Sequence, residues 1–334
     1  MAVTASLNKV QDSTNGTGGS LPLVVVNPRS AGGATAERWP KIASDLRAHF
    51  GPFHVEFTKA ARDGIRIARE GAQAGRPLII ACGGDGTINE VANGILESGT
   101  DAELGIFPAG TGGDFRRSID MPENSRDAGR ALKNGDTRTI DVGRVTFQNF
   151  NGDTETRYFL NISSFGLATS IIERVKSKPK LDWLPVDAIR GPASFALSTL
   201  QEVFELETTT VCVKVDDRPE KPLITVNFCV ANARFFGGGM KIAPEAKLAD
   251  GFLDVINIGD INSAKILLNA PSIYMGTHLD LKEVKDVRAK RIEVRPQDDS
   301  KEVHIEIDGE LPGKLPAVYE VVPNALRLRV PPKK

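Results

Sequence analysis

The chain has 334 residues, 40% of them hydrophobic and 25% charged, which excludes a fibrous or disordered protein and allows two hydrophobic cores. A net charge of -1 gives no global attraction for nucleic acid, so no nucleic-acid partner is expected. Cys82, Cys212 and Cys229 lack metal-type spacing and sit in strand-like surroundings, which predicts reduced packing residues and a cytosolic setting.

Residues 1–20 are rich in Ser, Thr, Asn and Gly and read as a disordered tail without the apolar run of a secretory signal. From Leu21 the pattern alternates. Leu21 to Val26 is a β-branched strand ending at Asn27-Pro28, and Ser30-Ala31-Gly32-Gly33 is a turn before a helix over Ala36–Phe50. His54–Thr58 reads as a strand, Asp63–Ala74 as a helix, Pro77–Cys82 as a buried strand and Thr87–Glu97 as a helix. Leu104–Phe107 follows as another strand, then a loop with Pro108, Gly110, Gly112 and Gly113. Such alternation predicts a parallel sheet covered on both faces, with ligands at the carboxyl ends of its strands.

After Ile140 the texture becomes β-rich: Thr208–Val215, Leu223–Val230, Leu253–Ile258, Arg291–Arg295 and Glu302–Ile307 read as strands, with helices at Phe165–Lys176, Ala193–Phe204 and Ser263–Leu268. The fold class is therefore an α/β first domain with a parallel, Rossmann-like sheet, followed by a mostly antiparallel β-sandwich second domain. The division is expected at 21–142 for the nucleotide-binding domain and 143–320 for the substrate domain. Segment 321–334, through Ala325–Val330, either returns to the first domain or closes the second. No segment reaches the roughly 20 apolar residues that span a bilayer.

Gly83-Gly84-Asp85-Gly86-Thr87 lies between a buried strand and a helix, so its backbone N–H groups can converge on phosphate while Asp85 is placed to hold Mg²⁺. A plain strand-to-helix turn capped by Asp85 or Thr87 explains the same residues. Gly110-Thr111-Gly112-Gly113-Asp114-Phe115 supplies a second flexible loop and a second carboxylate, with an N-cap as the alternative for Asp114. Arg116 and Arg117 are either phosphate ligands or solvated. Asp308-Gly309 is a strong hairpin signal as well as an acidic pair with Glu310. Phe235, Phe236 and Met240 beside three glycines form either an apolar lip or core. The basic groups Arg174–Lys180 and Lys282–Arg291 are either a draw to anionic lipid or a solvated face.

In this order the motifs resemble the diacylglycerol kinase catalytic family, which includes bacterial soluble lipid kinases and the sphingosine and ceramide kinases. The resemblance runs through Asn27 to Gly32, Gly83 to Glu90, Gly110 to Phe115, Asn232 to Pro244, Ala249 to Val255 and Ile307 to Glu310. It implies a lipid kinase that transfers the γ-phosphate of ATP to a lipid hydroxyl, with diacylglycerol as the first substrate to test. Asn27, Ser30, Gly32, Thr58, the loop Gly83, Gly84, Asp85, Gly86, Thr87 and Asn89, and Thr111 would contact ATP. Asp85 and Asp114 would organise Mg²⁺, and Asp308 and Glu310 would supply the general base. A structural Mg²⁺ is implied at Asp250 with the carbonyls of Lys247 and Phe252. The family commonly has Asn where this chain has Gly113 and Ala where it has Arg116. The resemblance implies a cytoplasmic protein that meets its lipid by transient peripheral contact with a membrane surface; a homodimer is compatible with the sequence. The alternatives are an NAD kinase, which shares the Gly-Gly-Asp-Gly loop, and a catalytically silent nucleotide- or lipid-binding regulator.

Overall fold

The computed structural model describes residues 20–110, 112–177, 208–298 and 300–332. The expected tail up to residue 19, the helix at Ala193–Phe204, Thr111 and the basic stretch beyond Ser177 lie outside the described residues.

Short apolar segments, fully buried in the two central strands, build a parallel sheet first. Strands β1 (Leu23–Val26), β2 (His54–Phe57), β3 (Leu78–Gly83) and β4 (Glu103–Pro108) pair in parallel in the order β4-β3-β1-β2. The crossover helices are α1 (Ala34–His49), α2 (Asp63–Gln73) and α3 (Asp85–Ser98). α2 packs on α3, while α1 packs on α5 (Ser125–Asn134), which follows the short α4 (Asp114–Ser118). The two pairs cover opposite faces, so Val24, Val25, Ile79, Ile80 and Leu104 are sealed from water.

The remainder is antiparallel. β5 (Asp136–Asn149), β6 (Thr154–Phe159) and β7 (Ile162–Gly166) lead into α6 (Leu167–Ser177). β8 (Thr209–Val215), β9 (Lys221–Thr225), β10 (Asn227–Ala231) and β11 (Leu253–Ile258) follow, then α7 (Ser263–Met275), β12 (Val284–Ala289), β13 (Arg291–Pro296), β14 (His304–Ile307) and β15 (Glu310–Val330). Apolar residues of the two layers form a core in which the Phe165 and Phe228 rings stack at 5.0 Å. A smaller core of Ile162, Cys229, Ile242 and Ile256 lies on the other face of β7 and β10.

β15 joins the two parts. Its early residues pair with β14 and β13, whereas Arg327 and Leu328 pair in parallel with Glu103 and Leu104 of β4. Ala325–Val330 thus returns to the first sheet. The expected strand over Leu223–Val230 is two strands that part at Val226, and the helix expected over Ser263–Leu268 runs on through Pro271 to Met275. All three cysteines are buried with free thiols, and burial pushes the Cys82 thiol up to about 12.

Candidate active site

The carboxyl ends of β1, β3 and β4 deliver three loops to one place. After β1, the Asn27 side chain donates to the Thr87 hydroxyl at 3.1 Å and the Ser30 hydroxyl donates to the Asn27 carbonyl at 2.9 Å. Ser30 also lies 2.6 Å from the Thr35 hydroxyl, which donates to the Ala109 carbonyl and so ties the first loop to the third. Ala31, Gly32 and Gly33 all have positive φ, a left-handed run that feeds the N-terminus of α1. Thr58 extends β2 by donating its N–H to the Val26 carbonyl.

Close approach explains the glycines of the other two loops. A Cβ on Gly110 would sit 2.4 Å from the Gly84 Cα, so a glycine at 110 lets these loops touch. A Cβ on Gly86 would meet nothing within 4 Å, so the first turn of α3 is open on that side. Between these loops and α1 lies a cavity of about 390 Å³, lined by Thr35, Gly83, Gly110, Gly113 and Arg116 among others. Main-chain N–H groups at the starts of α1 and α3 favour an anion here.

Asp85 braces the third loop. Its Oδ2 accepts the N–H groups of Gly113 and Asp114, and its Oδ1 accepts that of Phe115. Asp114 in turn accepts Arg117 on Oδ1 and the Gly238 N–H on Oδ2, each at 2.8 Å, so the Phe236-Gly237-Gly238-Gly239 loop docks on it. Burial raises the Asp114 carboxyl pKa, and the neighbouring Asp85 charge adds to the rise. Two adjoining carboxylates, one of them partly desolvated, suit a divalent cation. Gly113 has φ 72, a region that Asn also tolerates, so its replacement of Asn preserves the loop conformation. Arg116 donates to the Met121 carbonyl and places a guanidinium along the wall of the cavity, where the family commonly has Ala.

The late acidic motif comes from the β14–β15 hairpin. Asp308 and Gly309 have φ 44 and 88, the left-handed pair of a tight hairpin turn, so the turn and the acidic site are one feature. Asp308 is half-buried. Its Oδ1 accepts the N–H groups of Asn161 and Ile162, and its Oδ2 accepts those of Leu160 and the Asn89 amide. Burial pushes its carboxyl up to about 6 against these hydrogen bonds, which pull it down. Glu310 has a 46% exposed side chain and a 3.1 Å ion pair with Arg157. Asn89 therefore uses its amide to tie α3 to Asp308, bringing together residues far apart in the chain.

Asp85, Asp114 and Asp308 line one end of a second cavity, of about 660 Å³, within the range of roughly 300–1,000 Å³ for small-molecule sites. Its other walls are aliphatic and aromatic, with Ile171, Phe236, Met240, Ile258 and Ile273 among them. The reading of Phe236 and Met240 as an apolar lip thus has a structural counterpart: both line this cavity and their backbones pair with each other. Sequence reasoning missed Asn161. It is 4% exposed, it lines the acidic end of the cavity, and its Oδ1 has no hydrogen-bond partner among the described residues. An Asn between two strand-like segments carries no motif, so nothing in the sequence signalled it.

Lys247, Asp250 and Phe252 lie away from these cavities. Asp250 accepts Arg288 at 2.8 Å on Oδ2 and the Phe252 N–H on Oδ1, while the Gly251 N–H goes to Asp141. A guanidinium therefore already occupies one oxygen of Asp250. Among the described residues no cluster of three or more His, Cys, Asp or Glu side chains is arranged for a metal.

Glycine loops around one cavity, beside an apolar cavity with aspartates in its wall, are the arrangement expected of a class, kinases whose acceptor is an alcohol on a lipid. Residues 22–145 match the diacylglycerol kinase catalytic domain model, and 182–330 match the YegS C-terminal NAD kinase beta sandwich-like domain model. The chain is 31% identical over 278 residues to a diacylglycerol kinase of Bacillus subtilis, covering 83% of this chain and 85% of that protein. It is 29% identical to a diacylglycerol kinase of Mycobacterium tuberculosis, covering 92% and 94%. Among solved structures, a candidate diacylglycerol kinase from Bacillus anthracis is 27% identical with a TM-score of 0.72, covering 93% of this chain and 97% of that one. The chain belongs to the diacylglycerol kinase family, whose members are ATP-dependent lipid kinases.

Proposed function

We propose that the chain transfers the γ-phosphate of ATP to the hydroxyl of diacylglycerol, meeting it at the cytoplasmic surface of a membrane. The observation that carries this reading is the joining of Asp85, Asp114 and Asp308 to one end of an apolar cavity of about 660 Å³. In this reading 21–142 together with 321–334 forms the nucleotide domain and 143–320 the lipid domain. Asn27, Ser30, Gly32, Thr58 and Thr111, with the Gly83 to Asn89 loop, would hold ATP, the phosphates lying on the glycine backbone. Mg²⁺ held by Asp85 and Asp114 would neutralise charge on the phosphates, the chief requirement of phosphoryl transfer.

Of the two late acids, Glu310 is the one that takes the hydroxyl proton. An ionised carboxylate offers about four lone-pair positions, and Asp308 has four donors on its two oxygens, so a proton arriving there would have to displace one of them. Asp308 is a positioning residue that fixes Asn89, the start of β7 and the hairpin that carries Glu310. An acyl chain filling the cavity supplies affinity at about 0.8 kcal/mol per buried methylene. At Asp250, with the Lys247 and Phe252 carbonyls, a structural Mg²⁺ would have to displace Arg288.

The test is label transfer from γ-labelled ATP in the presence of Mg²⁺. Label in diacylglycerol supports the reading. Label in NAD in preference to lipid would replace it with an NAD kinase, and nucleotide binding without label in any acceptor would replace it with a silent regulator.

A further inference from the structure

Large apolar side chains on the described surface are concentrated on one helix. Of the exposed residues Phe150, Ile224, Leu267, Leu268, Tyr274 and Met275, the last four belong to α7. Lys265 is the only charged residue in Ser263–Met275, and the helix buries none of its residues. A helix apolar all round is normally buried, so this one calls for a partner.

Half of the partner is inside the protein. Ile266, Ala270 and Ile273 follow i, i+4, i+7 spacing and line the cavity of about 660 Å³. Leu268 and Met275, also seven residues apart, fall on the opposite face and are 81% and 64% exposed. α7 is thus a wall one helix thick between the cavity and the exterior.

We propose that α7 is the membrane-docking element of this kinase, an inference that rests on the reading of its acceptor as a lipid. Leu268 and Met275 enter the acyl boundary of the bilayer, to the roughly 5–10 Å depth usual for interfacial helices, while the inner face passes the lipid tail into the cavity. The attraction is chiefly apolar, because the one cation on α7 is matched by an acid. Lys265 pairs with Glu283, Arg288 with Asp250 and Arg291 with Glu320. A bilayer fits this face better than a protein groove because the surface continues into a cavity for the same kind of apolar chain.

The full-length chain and a Leu268→Ser/Met275→Ser double variant should be sedimented with vesicles of phosphatidylcholine and phosphatidylglycerol in equal parts. Both should also be assayed on long-chain diacylglycerol in those vesicles and on water-soluble dihexanoylglycerol without vesicles. Neither substituted residue lines the cavity. The expected result is a vesicle partition at least about tenfold lower for the variant, with an equal fall in the vesicle rate and no change in the soluble rate. Equal sedimentation of both proteins, at low or high partition, would overturn the docking role. So would a wild-type dimer that the substitutions split, read by light scattering, since the face would then belong to a second copy. Wild-type sedimentation that depends on these residues without label in either lipid would support docking and overturn the acceptor reading instead.

Discussion

Asp308 and Glu310 are separated by one glycine, yet their surroundings give them different work. Replacing Asp308 by Asn puts an amide where four donors converge, and at least one donor is left without an acceptor. The cost is the desolvation of unpaired buried groups, about 1–3 kcal/mol each, and denaturant melts of Asp308→Asn should show a clear loss of stability. Asp254 supplies a pH test. Burial, with Asp250 next, raises its carboxyl from the ordinary 3.8 to about 6. The folded chain therefore holds this proton more tightly than the unfolded chain. The contribution to stability is full below pH 3.8, falls as pH rises through about 6 and is flat above it. Asp254→Asn cannot titrate, so its thermal midpoint should gain on the wild type between those pH values and keep a constant lead above them. A lead that shrinks with rising pH would contradict the assignment.

At the scale of elements, helix starts and glycine loops line the cavity proposed for the nucleotide, and two glycines separate architecture from function. Gly110→Ala drives a Cβ into the Gly84 backbone and should lower stability by about 1–3 kcal/mol. Gly86→Ala meets open space within α3, so it should raise stability by about 0.5–1 kcal/mol while weakening ATP binding measured by titration calorimetry. A Gly86→Ala protein with unchanged affinity would remove the loop from the phosphate site. The loops were legible in the sequence because turn chemistry is local: Gly83 to Thr87 after an apolar run, and Asp308-Gly309 between β segments. β15 was hidden by Pro312, Pro316 and Pro323, which normally argue against a strand. The ladder accommodates the last two at register shifts between Lys314 and Ala317 and between Val322 and Leu326. α7 was read short because Pro271 resembles a stop signal. Asn161 and the Arg288–Asp250 pair were illegible because each acquires its meaning only when distant strands meet.

The whole molecule is organised around a junction. β15 pairs with β4 of the parallel sheet and with the antiparallel layers, and the Asn89 amide reaches Asp308 across the same boundary. The loops proposed to hold phosphate and the cavity proposed for the acceptor are thereby fixed relative to each other, which in-line transfer requires. The motifs carried this arrangement in outline, since their order along the chain matched a family. The hydrogen bonds around Asp308, on which the proposal of Glu310 as the base rests, were not legible because they join strands far apart in the chain. The central claim is that this junction performs phosphoryl transfer to a lipid hydroxyl with Glu310 as the base. The measurement that tests it most directly is the kcat of wild type and Glu310→Gln for label transfer from ATP to diacylglycerol, with ATP affinity and thermal midpoint measured alongside. The account predicts a fall of about 10²–10⁴ in kcat with affinity and midpoint held. A Glu310→Gln enzyme that turns over at the wild-type rate would contradict it.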